Sequence, residues 1–318
     1  MPSSSDARLS VVVGGVRLAN PVLAASGTFG YGTEAPELTR AARLGGIVTK
    51  TVTAEPRGGN GPHRLVETPS GLLNSIGLQN VGIDRFLSDK LPRLRDLGPA
   101  VIVSIGGRSE AEFAAVAGKL DGALGVAGVE VNISCPNVRE GGMEFSQDPA
   151  AAHRVVAAAR AATSLPIWAK LSPNVASIEV IGRACRDAGA DALTAINTLL
   201  GLVIDPVTRI PALASGWGGV SGPAIRPVAV AKVRQLHEAL DAPIVGVGGI
   251  MTADDALQFF LAGATAVQVG TASFAAPDAA ARVVDGLERY MDREGIASIS
   301  DLVGAVRWPL LPEKEPHG

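Results

Sequence analysis

Eight short runs of β-branched and other apolar residues, each followed by an Ala-rich stretch of helical periodicity, constrain this chain more than any other feature. The runs are PVLAAS (21–26), GGIVTKT (45–51), AVIVSIG (100–106), VEVNIS (129–134), PIWAKLS (166–172), ADALTAIN (190–197), PIVGVGG (243–249) and AVQVGTA (266–272). Strands apolar nearly throughout need cover on both faces, and parallel strands joined by helices receive it. Eight such units can close on themselves and leave no sheet edge, so the pattern predicts a (β/α)8 barrel. An open doubly wound sheet is the alternative, but the GxGxxG fingerprint between the first strand and the first helix is absent. Helices are expected within 109–120, 148–163, 177–189, 224–240 and 252–263. Thr252 is an N-cap with Asp255 in the first turn, and Gly189 and Gly263 act as stops.

The 318 residues exceed the roughly 250 of a plain barrel. The surplus falls in Gly-, Pro-, Asn- and Ser-rich segments at 52–82, 135–148 and 198–224, all leaving the carboxyl ends of strands, where barrels of this kind carry their active sites. LSVVVGGVRLANP (9–21) reads as a hairpin around Gly14-Gly15 that closes the opposite mouth, or as an N-terminal arm. Gly and Pro are spread throughout, so a single domain over 1–318 is expected, with 1–8 and 312–318 flexible. A net charge of −3 without a basic run argues against nucleic-acid binding. No run of eighteen apolar residues occurs and MPSSSDARLS lacks the apolar core of a signal peptide, so a cytoplasmic protein without membrane attachment is expected. Cys135 and Cys185 cannot supply the four thiolates of an iron–sulfur cluster, which would have to belong to another chain. No metal site is expected.

Gly248, Gly249, Gly270 and Thr271 end the seventh and eighth strands side by side. There, main-chain N–H groups can approach an anion closely, and the loops after these strands are the common phosphate site of the fold. Relief of tight turns is the competing role. Lys50 and Lys170 sit inside apolar strand sequences, where lysine points to a polar centre unless it snorkels or pairs. Asn74, Asn132, Asn137 and Asn197 add amides that donate and accept in a fixed plane, suiting a flat ligand of alternating carbonyl and N–H groups. Cys135, opening a Gly-rich loop in NISCPN, suits a reactive thiol as well as a packed one. No histidine is placed to complete a nucleophilic pair, but a lone thiol with a lowered pKa can still act as a proton acceptor. Cys185, within the helical segment GRACRDAG, reads as a buried hydrophobe.

ASGTFGYG (25–32), NSIGLQN (74–80), NISCPNV (132–138), KLSPN (170–174), INT (196–198), SGPA (221–224), GVGGI (246–250) and VGTA (269–272) resemble, in order, the dihydroorotate dehydrogenase family. The likeness is to class 1, with its cysteine base, and most to the NAD-linked class 1B catalytic subunit. It implies FMN, its phosphate on Gly248, Gly249, Gly270 and Thr271 and the rest against Ser26, Lys50, Thr51, Asn132, Lys170, Ile196 and Gly222. Dihydroorotate would be gripped by Lys50, the segment Asn74, Ser75, Ile76, Gly77 and Leu78, and Asn132, Asn137, Asn197 and Thr198, with Cys135 and Lys50 at the chemistry. Cys135 would take a proton from C5 while a hydride leaves C6, giving orotate in pyrimidine synthesis. The resemblance further implies a homodimer, joined in class 1B by a partner subunit carrying FAD and a 2Fe-2S cluster into a heterotetramer. Ser104 stands where class 1B relatives are expected to have asparagine, leaving a flavin contact to water. The alternatives are a fumarate-linked class 1A enzyme, another flavin-dependent dihydropyrimidine reductase, a cysteine-nucleophile transferase and a non-catalytic phosphate-ligand barrel.

Overall fold

The computed structural model describes residues 7–134 and 145–308. Expectations for 1–6, for 309–318 and for most of the 135–148 loop lie outside these residues. Ala7–Leu9 form a 3-10 turn, and Arg8 pairs with Asp292 at 2.6 Å. Val11–Val13 (β1) and Val16–Leu18 (β2) form the expected hairpin, turned by Gly14 and Gly15 at φ 48° and 83°. A Cβ on Gly14 would lie 2.8 Å from the Asp191 carbonyl carbon, so the hairpin closes down on the amino-terminal mouth of the barrel.

The barrel strands are Val22–Ala24 (β3), Gly46–Val48 (β4), Ala100–Ile105 (β7), Val126–Asn132 (β8), Ile167–Leu171 (β9), Ala192–Ala195 (β10), Ile244–Val247 (β13) and Ala266–Val269 (β14). They close in the order β3-β4-β7-β8-β9-β10-β13-β14, every pairing parallel. The fold is therefore the (β/α)8 barrel that the eight apolar runs predict.

The long helices Glu110–Leu120 (α1), Pro149–Ala162 (α2), Ile178–Asp187 (α3), Arg226–Ala239 (α4), Ala253–Ala262 (α5) and Ala279–Glu294 (α6) cover it. Ser109, Asp148, Ser177 and Thr252 cap α1, α2, α3 and α5 through side-chain oxygens that accept main-chain N–H groups. Thr252 and Asp255 form a full capping box. Alanines at 117, 151, 152 and 159 are fully buried, and their small volume lets these helices lie close to the sheet and to one another. No helix among the described residues is long and apolar enough to cross a membrane.

Two sequence expectations need correction. Lys50 lies beyond β4, which ends at Val48; its amide donates to Gly30 instead of to a neighbouring strand. The insertions after β4 and β10 also carry strands of their own. Leu65–Thr68 (β5), Gly71–Asn74 (β6), Leu199–Gly201 (β11) and Gly218–Ser221 (β12) join as an antiparallel sheet in the order β11-β12-β6-β5. The reason this sheet escapes periodicity is physical. A Cβ on Gly219 would meet Thr198 Oγ1 at 2.1 Å, and one on Gly218 would meet the Asn74 carbonyl oxygen at 2.7 Å. Glycine allows the close approach and leaves no side chains to alternate.

Candidate active site

A cavity of about 370 Å³ opens at the carboxyl ends of the barrel strands, beneath the inserted sheet. Its size is that of a small-molecule site, typically about 300–1,000 Å³. Strand endings supply its floor: Ser26 just after β3, Lys50 and Thr51 after β4, Asn132 closing β8, Lys170 in β9, and Ile196, Asn197 and Thr198 after β10. Gly248 and Gly249 after β13, Gly270 and Thr271 after β14, and Gly222 after β12 complete another wall. Asn74, Ile76, Gly77 and Leu78 reach it from the inserted sheet and the segment that follows.

At the glycine wall, Gly249 has φ 73°, and a Cβ there would come within 2.8 Å of both Arg226 Cβ and the Gly222 carbonyl oxygen. The residue thus lets the loop press against the start of α4, while Arg226 is itself held by an ion pair to Asp255 of the α5 capping box. No described residue accepts a hydrogen bond from the main-chain amides of Gly249 or Thr271. Main-chain donors without a described partner, at residues lining one cavity, suit a phosphate. Thr271 Oγ1 meanwhile donates to Ser221 Oγ at 2.8 Å, tying the β14 loop to the inserted sheet.

The amide groups form a connected chain. Asn197 Nδ2 donates to Ser134 Oγ at 2.6 Å, and Ser134 Oγ donates to Asn132 Oδ1 at 2.9 Å. Asn132 Nδ2 reaches Thr51 Oγ1 at 3.4 Å, and Thr51 in turn shares contacts of 3.3 Å with Ser26 Oγ and 3.0 Å with Ser104 Oγ. The network therefore runs across β10, β8, β4, β7 and β3, so these side chains are oriented before any ligand arrives. Ser104 is fully buried and does not line the cavity; its hydroxyl supports Thr51, which does. Asn74 Nδ2 donates to the Gly219 carbonyl at 3.1 Å. Asn174 fixes Thr198 by donating to its carbonyl at 3.0 Å.

Ser75 is the one described member of the expected substrate segment that the cavity lining does not include: it is fully buried, its hydroxyl without a partner. Cys135 and Asn137 lie outside the described residues. Cys185 is buried in α3, and desolvation pushes its thiol up to about 12, which leaves it a packed hydrophobe. Ser134, Gly219 and Ser221 were not singled out from sequence. Ser134 could have been, since it lies two residues beyond Asn132, on the same side of an extended chain.

Fold and cavity together define a (β/α)8 barrel with a small-molecule-sized, amide- and glycine-lined cavity at its carboxyl-terminal mouth. The model of the dihydroorotate dehydrogenase family matches residues 8–291. Among curated relatives, "dihydroorotate dehydrogenase B (NAD(+)), catalytic subunit" of Geotalea uraniireducens is 53% identical over 94% of this chain and 98% of its own length. The protein of the same description from Pelobacter propionicus is 52% identical over the same shares. A crystal structure of DHODH from Eimeria tenella in complex with ferulenol superposes with a TM-score of 0.79 at 22% identity, covering 95% of this chain and 89% of that one. This chain belongs to the dihydroorotate dehydrogenase family.

Proposed function

We propose that this chain oxidises dihydroorotate to orotate with FMN as its resident cofactor, in the synthesis of pyrimidines. The observation that carries the reading is that one cavity combines free main-chain donors at Gly249 and Thr271 with a wall of oriented amides at Asn74, Asn132 and Asn197. The donors fit a phosphate and the amides fit the flat, alternating carbonyl and N–H edge of a dihydropyrimidine. Family membership joins the two requirements in one reaction.

In this reading Gly248, Gly249, Gly270 and Thr271 hold the FMN phosphate, and Ser26, Lys50, Thr51, Asn132, Lys170, Ile196 and Gly222 hold the remainder. Bound there, FMN supplies the acceptor for the hydride leaving C6 of dihydroorotate. The protein's own part is positioning and proton transfer. Asn74, Asn132, Asn137, Asn197, Thr198 and the 75–78 segment orient the ring, Lys50 pairs with its carboxylate, and the Cys135 thiolate takes the C5 proton. The hydroxyl and amide chain from Asn197 to Ser104 keeps this geometry fixed without reorganisation during the step.

The relatives are catalytic subunits of NAD(+)-linked enzymes, and the same arrangement is proposed here, with electrons passing to a cytoplasmic partner subunit that carries FAD and a 2Fe-2S cluster. The inserted arm exposes Leu200, Ile204, Val207 and Ile210, apolar residues that support a homodimer as the core of that assembly. The test is anaerobic. Adding dihydroorotate to the purified, yellow chain should bleach its flavin absorbance without any partner. A flavin that stays oxidised would remove dihydroorotate as the substrate, and a chain that takes up no FMN would leave only the phosphate-ligand barrel.

A further inference from the structure

Glu130 has no exposed surface, and none of the steps above uses it. It lies two residues before Asn132 on β8, so both side chains leave the same face of the strand. Asn132 reaches the cavity, whereas Glu130 stays one pleat deeper in the barrel. Its Oε2 accepts from Gln268 Nε2 of β14 at 2.7 Å and from Thr194 Oγ1 of β10 at 3.1 Å. Among the described residues its Oε1 has no hydrogen-bond partner, and it faces Lys170 Nζ at 3.7 Å. Lys170 is 5% exposed and lines the cavity, so it links the buried carboxylate to the ligand space.

A carboxylate with no access to water persists only beside a cation and hydrogen-bond donors. A lysine's four-carbon stem is free to swing unless something fixes its end. Each group meets the other's need. The clamp from Gln268 and Thr194 comes from two other strands, so the carboxylate position is set by the barrel itself and not by one rotamer.

We propose that Glu130 is the positioning residue for Lys170: its clamped carboxylate holds the end of the Lys170 side chain in place at the cavity, where it would contact the flavin. The proposal rests on the FMN reading of the cavity. Glu130 touches neither flavin nor substrate and acts only through Lys170.

The experiment is a double-mutant cycle in the full chain with Glu130→Gln, which keeps shape and removes charge, and Lys170→Met. Three quantities are read: the FMN dissociation constant, the urea midpoint of the FMN-free protein, and the limiting rate of flavin reduction against the dihydroorotate dissociation constant. Glu130→Gln should weaken FMN binding and slow the limiting reduction each by roughly tenfold, with dihydroorotate affinity changed by less than about twofold. In the Lys170→Met background it should do neither. Lys170→Met alone strands a buried carboxylate, so its urea midpoint should fall below that of the double variant. Gln268→Met, which loosens the clamp, should repeat the Glu130→Gln pattern at smaller amplitude and covers the case in which Glu130→Gln does not fold. Losses that multiply in the double variant, or a double variant less stable than Lys170→Met, would overturn the proposal alone. Unchanged FMN affinity and reduction in Lys170→Met would remove Lys170 from the flavin site and overturn the proposal alone, whereas no FMN uptake by the unsubstituted chain would overturn the FMN reading and the proposal with it.

Discussion

The loops after β13 and β14 and the inserted segments after β4 and β10 meet in one cavity, yet they are made of different material. At the first, glycine and main chain line the cavity and glycine is required for packing: a Cβ on Gly249 would strike the Gly222 carbonyl and Arg226. At the second, the groups presented are the side chains of Asn74, Asn197 and Thr198, each held by neighbours such as Gly219, Ser134 and Asn174. A wall of backbone donors recognises an anion of any parent molecule, whereas a wall of oriented amides reads one arrangement of carbonyl and N–H groups. Cofactor retention and substrate choice should therefore be separable by mutation.

The largest expected effect belongs to the substrate side. Cys135→Ala should slow flavin reduction by dihydroorotate by about 10²–10⁴-fold in anaerobic stopped flow while leaving the protein yellow; reduction at the normal rate would remove Cys135 as the base. Next comes Gly249→Glu, which places volume and negative charge at the proposed phosphate site. FMN affinity in a fluorescence titration should fall by at least about 100-fold, or ~2.7 kcal/mol, and full occupancy would contradict the anion site. Asn197→Ala should raise the orotate dissociation constant by about tenfold, the worth of a hydrogen bond in a closed site, with FMN affinity nearly unchanged. Equal loss of both ligands would break the division between the walls.

The smallest effect concerns Cys185, remote from both walls. Its thiol is raised from the ordinary 9.0 to about 12 by burial. Below about pH 9 the neutral thiol is favoured in folded and unfolded chains alike and its contribution to stability is fully present. That contribution is lost as pH rises towards about 12, because only the unfolded chain ionises freely over that range. Native Cys135→Ala protein should accordingly show no thiol reactive towards a disulfide reagent at pH 8, and one after denaturation. Rapid reaction in the native state would place Cys185 in a different environment.

The barrel was legible because eight apolar runs and their helical partners repeat one unit, and the glycine wall because GVGGI and VGTA end adjacent strands. Helix ends were equally plain, down to the Thr252–Asp255 box. The inserted sheet was hidden because β12 begins with two glycines that carry no pattern. Lys50 read as a strand residue because its flanks are apolar or small, although pairing of β4 stops at Val48. Glu130 shows the same limit more sharply. In VEVNIS it is an isolated charge in an apolar run, and only closure of the barrel brings Gln268, Thr194 and Lys170 around it from positions 138, 64 and 40 residues away.

The most direct test of the two-wall account is a crystal structure of the chain with FMN and orotate bound together. It should place the phosphate against the main-chain amides of Gly249 and Thr271 and the orotate ring against Asn74, Asn197 and Thr198. Phosphate density away from the β13 and β14 loops, or orotate bound outside this cavity, would contradict it.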